Sequence, residues 1–134
     1  MQKTSAVALA LAAAMLTGCA ATTDTLRDAA DAGISAVGSS SLALELHADG
    51  AAPTPLTDTV LADAITELTD ASLTVVELTP TPGSEEQQRD AVEQALREAL
   101  DAVTGARADL AQGGAMGDWP AQLDAARAQL EQAG

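Results

Sequence analysis

A chain that does chemistry must bring nucleophiles, bases or metal ligands together, and this one carries few of them. It holds one cysteine, Cys19, and one histidine, His47. A general base is most often histidine, and a zinc site usually draws several ligands from His and Cys. Neither need is met by one of each. Ser39-Ser40-Ser41 supplies hydroxyls with no nucleophile motif around them. Asp63, Glu67 and Asp70 recur at spacings of 4 and 3, one flank of a helix. Carboxylates so placed could ligate Ca²⁺, which takes about six to eight oxygens. They lack the alternating acids and central glycine of an EF-hand loop, so a solvated acidic face is the simpler reading. Gly113-Gly114-Ala115-Met116-Gly117 is glycine-rich, but no strand precedes it and no Lys-Ser/Thr follows, which makes it a turn rather than a phosphate loop. Trp119 is the only aromatic residue, and at the start of a helix it is expected to pack inward. No nucleophile–base pair, cofactor site or metal cage emerges, and no enzymatic activity is expected.

A lone cysteine cannot close an internal disulfide, so Cys19 needs another explanation. Lys3 gives a short basic start, and Ala6 to Leu16 is an uncharged run of Ala, Val, Leu and Met. A basic start, an apolar run and small residues before a cut site make a secretory signal. The run is too short to span a bilayer, which takes about 20 residues. Leu16-Thr17-Gly18-Cys19 then supplies an aliphatic residue, a small residue, glycine and cysteine. This resembles the lipobox of bacterial lipoproteins at all four positions. The resemblance, confined to residues 1–19, implies a diacylglyceryl group on the Cys19 thiol and cleavage between Gly18 and Cys19. Residues 1–18 would be the removed signal peptide and residues 19–23 a lipid-anchored tether. One acyl chain holds a protein only reversibly, whereas two or three make membrane residence stable. Ala20 and Ala21 follow the cysteine, so the aspartate that retains some lipoproteins in the inner membrane of two-membrane bacteria is not there. The implied place is the outer face of the cell membrane, or the outer membrane where there are two.

Beyond residue 18 the chain has five arginines, no lysine and all twenty acids, a side-chain charge of −15. Nucleic acid is bound by cations that neutralise phosphate, so it is excluded as a partner. Anionic lipid is repelled too, which leaves the acylated cysteine as the contact with the membrane and an envelope protein as the expected partner. Leu, Ile and Val are scarce for a folded domain of this charge. Alanine must therefore complete the core, on helical faces where small side chains let helices approach.

The periodicity places it there. Thr57, Leu61, Ala64, Leu68, Ala71, Val75 and Leu78 alternate spacings of 4 and 3, with Val60, Ile65 and Val76 widening the stripe. Thr54 is expected to cap this helix, with Pro55 in its first turn. Ser84 and Gln87 have the spacing of a capping box for the next one, whose stripe is Val92, Leu96, Ala99, Val103, Ala106 and Leu110. Glu85–Arg89, Glu93–Arg97 and Arg97–Asp101 are its i,i+4 pairs. Gly105 weakens its middle.

Leu26, Ala30, Gly33, Val37, Ser40, Leu44 and His47 keep the same spacing through poorer helix formers, and Asp49-Gly50 closes the segment. Leu42, Leu44 and Leu46 alternate with period two, so residues 41–47 could instead form a short strand. Trp119, Leu123, Ala126, Leu130 and Ala133 make a last stripe. The expectation is an all-α fold, residues 24–134. Three long amphipathic helices at about 24–48, 55–78 and 84–112 form an antiparallel bundle with a short fourth at about 119–133.

Overall fold

The structure, a computed structural model, describes residues 3–114 and 117–134, with side chains from residue 21 onward. The described residues form four helices and no strand: α1 (Lys3–Ala48), α2 (Thr54–Glu77), α3 (Ser84–Ala111) and α4 (Trp119–Ala133). Short turns fold each helix back against the one before it. α1 and α3 touch each other and form the spine of the bundle; α2 and α4 lie on opposite sides of it and do not meet. The packed bundle begins at Leu26, the first buried side chain among the described residues.

Each stripe lies where its spacing puts it. Leu26, Ala30, Val37, Ser40 and Leu44 are buried on α1, Leu61, Ala64, Leu68 and Val75 on α2, and Leu123, Ala126 and Leu130 on α4. All six stripe residues of α3 are buried, joined by Ala95 and Ala102. Half of the buried hydrophobic residues are alanine, and the backbones close in accordingly. A methyl group on Gly33 would lie 2.8 Å from Leu96 Cδ2 and 3.1 Å from Leu130 Cδ1, so α1 meets both α3 and α4 at that glycine.

Residues 41–47 are helical. Leu44 is 2% exposed while Leu42 and Leu46 are 57% and 41% exposed, so the period-two pattern reflects an outward-facing pair of leucines rather than a strand. Val76, assigned to the α2 stripe from sequence, also faces outward. α1 starts earlier than the expected residue 24 and runs through the segment expected to be a tether. Alanine, leucine and methionine favour helix before Cys19, and Ala20 and Ala21 carry it through the tether.

The helix ends depart from the sequence reading at their N-termini. The residue ahead of α2 is Pro53, and Thr54 is already inside the helix; no side chain caps it. Gly83 precedes α3, and the expected Ser84–Gln87 capping box is not formed. Glu85 takes over: its Oε2 accepts the Thr81 backbone N–H at 2.7 Å, reaching back across the turn. The C-termini of α1 and α3 share one design, whereas α2 ends on an extended Leu78. The Gly50 N–H donates to His47 O and the Ala51 N–H to Leu46 O, with Gly50 at φ 73°. The Gly113 N–H donates to Leu110 O and the Gly114 N–H to Asp109 O, with Gly113 at φ 66°. Both are Schellman turns, which need a left-handed residue that glycine supplies without strain.

Candidate functional site

Leu16, Thr17, Gly18 and Cys19 lie outside the residues whose side chains are described. The bundle end that follows them in the chain is built from the start of the α1 stripe and the α2–α3 turn. Glu85 sits there. The Thr81 backbone N–H foremost, then the Thr81 and Thr22 hydroxyls, hold its carboxyl below the usual glutamate range, against the cost of its burial. Thr22 thereby connects α1, three residues past Cys19, to the turn between α2 and α3.

The remaining residues with chemical potential serve the fold. His47 Nδ1 lies 3.0 Å from the Ala52 carbonyl and donates to it, closing the α1–α2 turn. Ser40 is buried with its hydroxyl donated to Ala36 O at 2.8 Å, an ordinary contact within a helix. Ser39 is exposed and Ser41 half-buried. Trp119 packs inward as its position implied. Its Nε1–H donates to Asp109 Oδ2 at 2.6 Å, and its ring covers Gly105 so closely that a methyl group there would overlap it. Gly105, which looked like a weak point of α3, is the floor of the tryptophan site. The glycine-rich turn is described at Gly113, Gly114 and Gly117; Ala115 and Met116 lie outside the described residues.

Of the three ion pairs expected within α3, one forms. Arg89 meets Asp90 rather than Glu85, and Arg97 keeps Glu93 but not Asp101. A pair that no local spacing could reveal joins α2 to α3: Arg107 Nε donates to Asp58 Oδ1 at 2.7 Å and Nη2 to Oδ2 at 3.1 Å. It is the only ion pair between helices among the described residues. The Arg107 hydrogen bonds, reinforced by its charge, hold the Asp58 carboxyl below the ordinary aspartate range.

Asp58 and Glu85 therefore bind protons less readily folded than unfolded. The stability they contribute is complete above the unfolded carboxylate range and is lost as pH falls through their lowered folded values. Their contribution to the melting temperature should fall between about pH 5 and pH 3. Asp58→Asn should melt lower than the parent at neutral pH and show a shallower fall over that window. Parallel acid profiles for the two would show that the pair contributes nothing.

Asp63, Glu67 and Asp70 do share one flank of α2. No three of the described His, Cys, Asp and Glu residues form a group placed to hold a metal ion. The flank instead borders the groove between α1 and α2. Toward the α2–α3 turn the groove has a volume of ≈ 410 Å³ and is lined by Asp28, Glu67 and Asp70 beside Ala29, Ala32 and Ala71. Toward the α1–α2 turn it has ≈ 320 Å³ and is walled by Leu42, Leu46, Leu56 and Val60. Leu42, Leu46 and Leu56 are three of the five large hydrophobic residues exposed among the described residues. This groove was invisible in the sequence because it depends on which two helices are neighbours. Among the described residues no helix is long and apolar enough to cross a membrane. No family model, curated protein or solved structure matches the chain.

Proposed function

We propose that this chain is a lipid-anchored, non-enzymatic protein of the bacterial cell envelope whose helical bundle serves as a binding or scaffold module. The observation that carries the proposal is Leu16-Thr17-Gly18-Cys19 at the end of an apolar, signal-like run. The chain would be exported, acylated at Cys19 and held at the outer face of the cell membrane, or at the outer membrane where there are two. Leu26 follows Cys19 by about seven residues, or about 10 Å as helix, so the bundle would stand directly on its anchor. A second reading, an accessory receptor for cations or a cationic ligand, is favoured by the charge balance. The five arginines pair with Asp24, Asp90, Glu93, Asp58 and Glu131, which leaves fifteen of the twenty acids without a described cation.

Expression of Cys19→Ala in a bacterial host with labelled fatty acid tests the anchor. The variant should take up no label and accumulate as an uncleaved or miscleaved precursor, while the parent is labelled and enters the detergent phase. A labelled Cys19→Ala protein would remove the basis of the proposal. Recovery of the acylated protein from native membranes would then show whether an envelope protein accompanies it.

A further inference from the structure

On the α1 face along the groove, Asp24, Asp28 and Asp31 come first, then Ser35 and Ser39, then Leu42 and Leu46. α2 runs the other way, and its face begins with Leu56 and Val60 and continues with Asp63, Glu67 and Asp70. The two antiparallel helices thus show the same gradient in space, apolar toward the α1–α2 turn and acidic toward the α2–α3 turn. The acids are uncompensated: α2 has no basic residue, and Arg27, the one arginine of α1, is taken by Asp24. None of Asp28, Asp31, Asp63, Glu67 and Asp70 makes an ion pair with a described residue.

Apolar surface left in water is unfavourable and neighbouring carboxylates repel one another, and one occupant can relieve both. From Leu42 to Asp28 is fourteen residues of helix, about 21 Å. We propose that the α1–α2 groove is the docking site for a cationic amphipathic helix, with its apolar turns between Leu42, Leu46, Leu56 and Val60 and its lysines or arginines over Asp28, Asp31, Glu67 and Asp70.

Charge complementarity selects this occupant over the others. A second copy laid face to face in parallel would set acid on acid; laid antiparallel it would set leucine on carboxylate. Two copies overlapping only at their apolar ends would bury a few side chains, far below the roughly 1,200–2,000 Å² of a stable interface. Anionic lipid is repelled by the same acids. Helix-in-groove recognition, with anchors at i, i+3/i+4 and i+7, fits the length and the shape.

This inference specifies the partner of the binding module proposed above and rests on that reading, but not on the anchor. The test is calorimetric titration of the full chain with a designed helical peptide of about 20 residues. One face of the peptide carries leucines over its first two turns and arginines over the rest. One control peptide interleaves the same residues; a second is oligo-arginine of equal charge. The segregated peptide should bind at least about tenfold tighter than either control, and more weakly as salt is raised. Leu42→Ser/Leu56→Ser and Asp28→Asn/Glu67→Gln/Asp70→Asn should each weaken it about tenfold or more. All five positions are exposed, so the melting temperature should stay within a few degrees of the parent's.

The proposal is overturned if the segregated peptide does not bind, if oligo-arginine binds as well and ignores the leucine substitutions, or if sedimentation shows a dimer abolished by Leu42→Ser/Leu56→Ser. Any of these leaves the Cys19 labelling result untouched. An envelope protein recovered with the parent and equally with both groove variants would leave a scaffold that binds elsewhere.

Discussion

Leu68→Ala should destabilise the bundle by about 2–5 kcal/mol. Leu68 is fully buried in the middle of α2, and its stripe neighbours Ala64 and Ala71 are 3% and 7% exposed. Those methyl groups cannot reach into the space left by an isobutyl group, so a cavity term adds to the lost transfer energy. A domain has only about 5–15 kcal/mol in total, which makes this a large share. The thermal transition, followed by helical circular dichroism, should fall on the order of 10 °C. Leu73→Ala is the internal control. Leu73 lies on the same helix but is 56% exposed, and its truncation should change stability by no more than about 0.5 kcal/mol. Equal losses from the two substitutions would show that the stripe does not define the core.

Gly105→Ala reverses the usual expectation for glycine inside a helix. Alanine should gain about 1 kcal/mol there from helix propensity. The added methyl, however, would occupy the space of the Trp119 ring. That ring is also tied to α3 by the Nε1–Asp109 hydrogen bond one turn on, and α4 would have to shift to relieve the overlap. Overpacking of this kind costs about 1–3 kcal/mol, enough to outweigh the propensity gain. The same substitution in a Trp119→Leu background should become stabilising, by about 0.5–1 kcal/mol, because only propensity is left. Urea unfolding of the four proteins in the cycle reads both signs. A stabilising Gly105→Ala in the parent would mean that the ring does not rest on α3.

How far the fold was legible depended on whether the signal was local. The 4,3 spacing put Thr57 through Val75 and Val92 through Leu110 on buried faces because a helix repeats every 3.6 residues whatever surrounds it. At 41–47 two local patterns competed, and burial of Leu44 between outward Leu42 and Leu46 decided for the helix. Capping failed as a guide. Thr54 and Ser84 are favourable cap residues, yet Pro53 and Gly83 occupy the positions ahead of their helices, and Glu85 reaches Thr81 instead. The Arg107–Asp58 pair spans 49 residues, and Asp109 meets Trp119 across a turn, so neither has a spacing signature. The candidate groove was least legible. Leu42 and Leu46 looked like a strand, Val60 like core, and Asp63, Glu67 and Asp70 like a solvated flank, until α1 and α2 were placed side by side.

The alanine seams have a thermodynamic consequence. Methyl groups bring helices close while covering little apolar surface, so unfolding exposes less of it than in a leucine-packed bundle of equal length. Heat-capacity change and denaturant sensitivity both scale with that surface. This chain should therefore have a low unfolding heat capacity and a shallow urea dependence for its size. Its stability curve should be broad and flat, so a modest free energy is held nearly constant over a wide range of temperature. Such a protein resists cold as well as warmth without ever being very stable.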